Sequence, residues 1–257
     1  MEQEAVCRDF SCTLSSLLDV GEIMLTSGSE VNRVEDTLER MAKAYGCNQV
    51  DVFTITSSIV VTVHDGEDRI FTQTRRIREY QTDIYKIEQC NELSRQVCAQ
   101  PLPQKELTER IAKIRAGRGY PWWVRLLAYG LVASSFTIFF GGGLLDAAAS
   151  AICGLGLYWI LQLLDRIRIQ RIVTTILAAA FVGLLAVVLT RLGLGNSVDK
   201  ISIGNVMLLI PGISFTTSLR DMISGDTISG LLGLCEAILR ALAIGLGFAL
   251  VLWQFGM

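Results

Sequence analysis

The spacing of apolar residues changes character about halfway along the chain. Before residue 118 the apolar positions are interspersed with charges, whereas after residue 121 they form long runs. Lysine and arginine are absent from three of these windows, at 126–165, 172–190 and 201–219. A transmembrane helix needs about 20 mostly apolar residues, so the second half has windows long enough to span a membrane.

This pattern predicts five transmembrane helices, at about 122–140, 144–164, 172–190, 201–219 and 231–254. The basic residues flank alternate ends of these spans, which by the positive-inside rule places the N-terminus in the cytoplasm and the C-terminus outside. Alanine, glycine and other small residues recur within the spans. We therefore expect the helices to pack closely, with one another and with another subunit.

The front half has the patterns of a soluble domain. Apolar periodicity predicts helices near 10–24, 31–45, 83–98 and 104–116, and strands near 50–56, 59–64 and 69–75. Asp65 and Gly66 form the turn of a hairpin between the last two strands. The predicted fold is an α-helical polytopic membrane protein with an N-terminal α+β cytoplasmic domain, divided into 1–118 and 119–257.

The segment from Ser27 to Glu35 is the strongest local motif of the front half. Ser27 and Gly28 form a turn before a helix, and Glu30 completes an S-x-x-E capping box with Ser27. Free backbone N–H groups at this helix start, with Arg33 nearby, are suited to hold a carboxylate or phosphate. The alternative is a capped helix in which Glu30, Arg33 and Glu35 are solvated.

The fourth predicted span contains a proline in its middle. Pro211 lacks an N–H and clashes with the preceding turn, so the helix should kink or break there, next to Gly212. Ser214 and Thr217 follow, and their hydroxyls can satisfy freed carbonyls or bind a solute. Broken helices of this kind frame substrate sites in secondary transporters, and a kink repaired by neighbouring helices is the alternative.

Five ionisable residues lie in or near the spans. Asp146, near the start of the second span, either caps that helix or faces a polar path. Asp221 and Asp226 follow the fourth span in the predicted cytoplasmic connection, where they serve coupling or cap helices. Glu236 and Arg240 stand four residues apart in the last span and share one helix face.

Composition excludes several classes of protein. The chain is 51% hydrophobic with a net charge of −2, which disfavours nucleic acid as a partner. Seven cysteines without a C-x-x-C pair and a single histidine, His64, argue against a metal site, and no cofactor is expected. The acidic N-terminus is followed by no apolar segment of the kind found in secretory signals.

Several short motifs occur in a characteristic order. They are Ser27-Gly28-x-Glu30-x-x-Arg33-x-Glu35, Phe140-Gly141-Gly142 with Asp146, and Pro211-Gly212 … Asp221 … Gly225-Asp226-x-x-Ser229-Gly230. In this order and spacing the chain resembles the threonine/serine exporter family, specifically the larger subunit of its two-component form. The resemblance implies export of small metabolites across a bacterial inner membrane. It also implies oligomerisation with a separate, small multi-pass membrane partner, because one-piece members carry a second membrane block and this sequence ends at Met257.

These observations favour a subunit of a secondary-active exporter in the lipid bilayer. Family members are associated with threonine and serine export, which is the main hypothesis, and two-component relatives with succinate, a dicarboxylate, which is the alternative. Without a Walker motif, coupling to an ion gradient is favoured over ATP. The substrate candidates are Pro211, Gly212, Ser214 and Thr217. The coupling or gating candidates are Asp146, Asp221, Asp226, Glu236 and Arg240.

A rival hypothesis comes from another class of protein. It takes the chain for a membrane-bound enzyme or sensor that uses the motif from Ser27 to Glu35. The sequence offers no nucleophile with a base and an orienting group, no Gly-rich phosphate loop and no metal cluster for that chemistry. We therefore expect a protein that is not an enzyme.

Overall fold

The computed structural model describes residues 10–64, 69–78, 80–117, 119–167 and 169–255. The helices within these residues are α1 (Phe10–Thr26), α2 (Val31–Ala44), α3 (Ile84–Ala99), α4 (Gln104–Ala116), α5 (Trp122–Phe139), α6 (Leu144–Arg166), α7 (Arg171–Arg191), α8 (Val198–Leu209), α9 (Gly212–Ser224) and α10 (Thr227–Gln254). The strands are β1 (Gln49–Ile55), β2 (Ser58–His64) and β3 (Ile70–Arg76).

Contacts divide the chain into two units. The first unit joins residues 1–118 with Ile213–Cys235, and the second joins Gly119–Gly212 with Glu236–Met257. Helix α10 therefore contributes its beginning to the first unit and the rest of its length to the second. The apolar pattern of the sequence does not indicate that a segment beyond residue 212 belongs with the front half.

The first unit packs helices against one small sheet. Helices and strands occur in the front half near the positions that the sequence predicts, with ends shifted by a few residues. The sheet is antiparallel in the order β1-β2-β3, and Ile59, Val61 and Val63 of the central strand point into the core. The turn predicted at residues 65 and 66 lies outside the described residues.

The capping box predicted for the start of α2 is wrong. Helix α1 continues to Thr26, and Ser27 follows it directly, with its N–H donating to Ile23 O at 3.0 Å. Gly28 then reverses the chain with φ = +93°, a conformation that glycine adopts without steric cost. Glu30 is the N-cap residue of α2 and makes no side-chain capping bond. Ser27, which was expected to cap α2, is only 2% exposed and does not occupy the N-cap position.

The second unit consists of apolar helices of membrane-spanning length. Four described helices, α5, α6, α7 and α10, are long and apolar enough to cross a membrane. Helices α8 and α9 add a fifth candidate if the interrupted pair is counted as one span. The predicted windows are thus all helical, and the predicted interruption of the fourth is confirmed.

Small residues bring the helices of the second unit close together. A Cβ on Gly154 of α6 would lie 2.6 Å from Tyr129 O of α5, so only glycine allows this approach. Ala178, Ala179 and Val182 of α7 are fully buried in the adjoining core. The close packing that the small residues predict is confirmed. On the outer faces, large apolar side chains stay exposed, as expected of helices in lipid.

Candidate functional site

The break in the fourth span occurs at Pro211. Helix α8 ends at Leu209, and Ile210 has the extended dihedrals φ = −64° and ψ = 127°. Helix α9 starts at Gly212, directly after the proline. Pro211 lacks a backbone donor, and its ring disfavours a helical conformation for the residue before it, which explains why the chain breaks at this position.

The hydroxyl groups after the break bond to their own helix. Thr217 Oγ1 donates to Ile213 O at 3.0 Å and also contacts Ser214 O at 3.2 Å. Ser218 Oγ donates to Ser214 O at 2.7 Å. These hydroxyls therefore satisfy carbonyls within α9 and keep acceptor lone pairs for a further partner. Ser214 and Thr217, two of the predicted substrate residues, are half-buried.

A carboxylate from α9 binds the first turn of α2. Helix α9 extends to Ser224, so Asp221 lies within it and not in the connection where it was predicted. Asp221 is only 7% exposed, and its Oδ1 accepts a hydrogen bond from Val31 N at 3.2 Å. Val31 is the first residue of α2, where unpaired N–H groups and the helix dipole attract an anion. The anion predicted for this helix start is thus one of the protein's own side chains.

Further carboxylates of the first unit surround this contact. Glu30 pairs with Arg220 of α9, and the carboxylates of Glu30 and Asp226 are close enough to Asp221 to repel it. The Glu30 side chain is 17% exposed, whereas that of Arg220 is 66% exposed. The site therefore holds buried negative charge beside one solvated cation.

Glu35 joins the same group from the next turn of α2. Its Oε1 accepts a hydrogen bond from Thr54 N of β1 at 2.7 Å. Burial raises the pKa of Glu35, the bond from Thr54 opposes this shift, and the carboxylate of Asp226 adds to it. The Oδ2 of Asp226 and the Oγ of Ser29 are buried without a hydrogen-bond partner among the described residues. Such atoms are costly to bury, so this group of side chains is sensitive to added protons or charge.

Helices α9 and α10 meet closely just after these residues. A Cβ on Gly230 of α10 would lie 2.3 Å from Met222 Cγ and 2.6 Å from Ser218 O of α9. Gly230 N donates to Asp226 O at 2.9 Å, and Asp226 N donates to Asp221 O at 2.9 Å. The sequence motif from Asp221 to Gly230 is therefore a tight helix–turn–helix.

Asp146, in the second unit, is engaged by three backbone donors. Its Oδ2 accepts from Gly143 N at 3.0 Å, and its Oδ1 accepts from Asn196 N at 2.6 Å and Ser197 N at 3.0 Å. The residue is 3% exposed. Of the two alternatives predicted for it, capping α6 is the one that these contacts support.

The remaining predicted residues have simpler surroundings. Glu236 and Arg240 form the expected pair on one face of α10, with Oε1 and the guanidinium nitrogen 2.5 Å apart. Arg33 is exposed on α2, and Gly28 provides the turn before it. No group of acidic, histidine or cysteine side chains within the described residues has the arrangement of a metal site.

Two residues that contact these carboxylates were not predicted as site residues. Arg220 is among the basic residues that flank the predicted spans, and Thr54 lies in the strand predicted at 50–56. A basic residue beside an acidic one at a helix end was a usable signal for Arg220. No sequence signal could have identified Thr54, because it contributes only its backbone N–H, which every residue except proline has.

Comparison with known proteins identifies the family. A family model described as "Putative threonine/serine exporter" matches residues 15–254. The chain belongs to this family. The resemblance noted from the sequence motifs is thereby confirmed, and the chain is a multi-pass membrane protein of a transporter family.

Three named relatives are similar to this chain along nearly its whole length. A "Probable succinate transporter subunit YjjP" from Klebsiella aerogenes is 25% identical over 234 residues, which is 90% of each chain. The YjjP protein of Escherichia coli K12, of the same description, is 25% identical over 92% of this chain and 93% of its own. A "Probable threonine/serine exporter" from Mycobacterium tuberculosis is 22% identical over 93% of this chain but only 45% of its own length. No solved structure matches the chain.

Proposed function

We propose that this chain is the larger subunit of a two-component secondary exporter in a bacterial inner membrane. Two relatives that match it almost end to end are named transporter subunits. The M. tuberculosis exporter extends well beyond the region of similarity, since this chain covers 45% of it. A small multi-pass partner would supply what the longer protein carries in one chain.

The exported substrate is a small carboxylate-bearing metabolite. The description of the family and the name of the M. tuberculosis relative favour threonine and serine. The names of the two relatives of equal length favour succinate. Both kinds of molecule carry a carboxylate. They differ in the second charged group, which is an ammonium group in threonine and serine and another carboxylate in succinate, and transport assays can distinguish them.

The interruption at Pro211 is the observation that carries this proposal. A helix that starts inside a membrane presents the positive end of its dipole, which suits a substrate carboxylate. Gly212 leaves open space at that start, because a Cβ there would meet no heavy atom within 4 Å. Ser214 and Thr217 add hydroxyl oxygens in the next turn.

The carboxylates at the start of α2 are the proposed gate. Asp221 belongs to the helix that follows the break, and its bond to Val31 ties that helix to the front domain. If α9 moves during transport, either this hydrogen bond breaks or the start of α2 moves together with α9. Asp226 and Glu35 share the negative charge around it, so their protonation is the proposed link to an ion gradient. Asp146, Glu236 and Arg240 support the helices.

Efflux from vesicles tests the proposed function. Vesicles containing this subunit and its candidate partner are loaded with labelled threonine or with labelled succinate, and an outward gradient is imposed. We expect release of one substrate to exceed release from empty vesicles and from vesicles with either subunit alone. Release at the level of empty vesicles for both substrates refutes the proposal.

A matched pair of threonines tests the site itself. Thr217→Val removes a hydroxyl next to the break and keeps the side-chain shape, so efflux should fall. Thr175→Val is the control, because Thr175 Oγ1 makes the same kind of bond, to Arg171 O at 2.9 Å, within an uninterrupted helix. Equal loss of efflux in the two variants would place the substrate path elsewhere.

Reporter fusions test the proposed orientation. The distribution of basic residues places the N-terminus in the cytoplasm and the C-terminus outside. A cytoplasmic reporter should therefore be active at the N-terminus and inactive at the C-terminus. Activity at both ends contradicts the five-span topology.

A further inference from the structure

A polar cavity lies in the first unit, on the other side of the 27–30 turn in the sequence from Asp221's partner Val31. Its volume is about 410 Å³, within the range of small-molecule sites. The end of α1, the end of β3 and the start of α3 form its walls. The residues that matter are Glu22, Thr26, Ser27, Arg76, Arg78 and Lys86.

The lining of this cavity has an excess of positive charge. Glu22, its carboxylate, is already accompanied by Arg115 at 3.2 Å and Arg75 at 3.8 Å. Arg76 and Arg78 form no ion pair with any of the described residues, and both are exposed. Two exposed guanidinium groups that line one cavity and pair with none of the carboxylates in the described part of the chain are typical of an anion site.

The chemistry of the lining narrows the class of ligand. The cations include Lys86, whose Nζ lies 3.9 Å from Asp83 Oδ2, a distance that permits only weak pairing. Two arginines and a lysine match a small dianion, and the lining also includes Ser27, whose hydroxyl is of a type that can donate to an anion's oxygen. A zwitterion such as threonine is a poor match, because its ammonium group would face the same cations.

The cavity adjoins the turn that leads to Asp221. Ser27 O accepts from Asp83 N at 3.0 Å, and Thr26 O accepts from Gln81 N at 2.8 Å. These bonds fasten the wall of the cavity to the turn of residues 27–30. At the end of this turn, Val31 N holds the Asp221 carboxylate. A ligand on Arg76 and Arg78 therefore acts on a segment only a few residues from the proposed gate.

We propose that this cavity binds a small dianion, a dicarboxylate or inorganic phosphate, and that the bound anion orders the turn of residues 27–31 that holds Asp221. Binding at the cavity does not depend on the proposed function, and only its regulatory meaning rests on the exporter role. The occupancy of the cavity, and with it the contact of α9 with the turn, would then depend on the cytoplasmic concentration of the metabolite.

Calorimetric titration of the full chain in detergent tests the binding step. Succinate, phosphate and threonine are titrated separately at physiological ionic strength, which screens nonspecific attraction. We expect binding of succinate or phosphate that requires Arg76 and Arg78, whereas threonine bound at the proposed substrate site should not require them. Binding of succinate alone or phosphate alone identifies the source of the dianion, whereas absence of dianion binding, or threonine binding that requires the same two arginines, overturns the proposal.

A pair of double variants locates the site. Arg76→Gln with Arg78→Gln should weaken dianion binding at least about tenfold, as expected when charge-assisted hydrogen bonds are lost. Arg40→Gln with Arg95→Gln removes the same charge from exposed arginines that pair with Asp36 and Glu92, and should leave binding unchanged. Equal weakening in both variants would mean that only net charge attracts the anion, and the site would be refuted.

Hydrogen exchange tests the effect on the turn. The amides of residues 27–31 should exchange more slowly when the dianion is bound, and this protection should vanish in the Arg76 and Arg78 double variant. Binding without any change in exchange overturns the coupling. Because neither measurement uses transport, failure of vesicle efflux with binding and protection intact would count against the proposed function alone.

Discussion

Substitutions of Asp221 separate two opposing effects at the start of α2. The carboxylate satisfies Val31 N at 3.2 Å, which stabilises the helix. The same carboxylate lies near Glu30 and Asp226, which repel it. Asp221→Ala removes both effects and leaves a buried N–H without an acceptor. Asp221→Asn keeps an acceptor oxygen and removes only the charge.

The contacts of Asp221 determine how much each substitution should change the stability of the fold. Loss of an N-cap acceptor costs about 1 kcal/mol, and leaving a buried donor unpaired costs roughly 1–3 kcal/mol, so we expect about 1–2 kcal/mol for Asp221→Ala. In a chain of this size each kcal/mol corresponds to roughly 2–4 °C in Tm. For Asp221→Asn, the lost charge–dipole attraction of about 0.3–1 kcal/mol is offset by relief from two neighbouring carboxylates, so Tm should stay close to that of the wild type.

Thermal unfolding of the full chain in detergent, followed by circular dichroism at neutral pH, measures these differences. Asp36→Ala is the control, because Asp36 is an exposed residue of α2 that pairs with Arg40 at 2.8 Å. Exposed pairs of this kind contribute about 0.3–0.5 kcal/mol, so the control should shift Tm very little. The reasoning fails if Asp221→Ala is no worse than the control. It also fails if Asp221→Asn is as destabilising as Asp221→Ala, since charge would then outweigh hydrogen bonding.

Three further outcomes follow from the same structure. Gly230→Ala should lower Tm by several degrees, because a Cβ there would lie 2.3 Å from a side-chain carbon of α9, whereas Gly245→Ala on the same helix meets nothing within 4 Å and should not. Because burial raises the pKa of Glu35, its contribution to stability is complete below the ordinary value of 4.5 and is lost as the pH rises through the folded-state pKa. In Glu35→Gln the Tm should therefore fall less steeply as the pH rises from 4.5 to the folded-state pKa of Glu35. The same dependence of Tm on pH in this variant and in the wild type would contradict this. Burial raises the pKa of Cys90 to about 12, so a maleimide should label the exposed Cys98 in the folded protein and spare Cys90, as mass spectrometry can show.

Local chemistry explains what could be predicted from the sequence. A span must satisfy its own backbone groups in lipid, so long apolar windows have one structural outcome, the helix. The break at Pro211 follows from the missing N–H of one residue and needs no tertiary information. The strands around Ile59 to Val63 likewise follow from alternation with period two.

The site required contacts that periodicity does not encode. Val31 and Asp221 are 190 residues apart, and nothing in either local pattern pairs them. The capping-box prediction failed for a related reason, because Ser27 is buried just after the end of α1 and Glu30 takes the N-cap position of α2. Asp221 was placed in a connection because α9 becomes polar before it ends. In each case tertiary packing moved a boundary by a few residues and changed the role of a side chain.

The energies at the contact between Asp221 and Val31 suit a reversible interaction better than a permanent one. The attraction of one carboxylate to a helix start amounts to about 1 kcal/mol, which is comparable to the repulsion from a neighbouring carboxylate. Glu30 is partly neutralised by Arg220, but Glu35 and Asp226 face each other with burial raising the pKa of Glu35. When opposing terms are this similar, the binding of one proton or one anion changes which of them is larger. A permanent attachment of α9 to the front domain would instead use apolar burial, which neither protons nor anions can reverse.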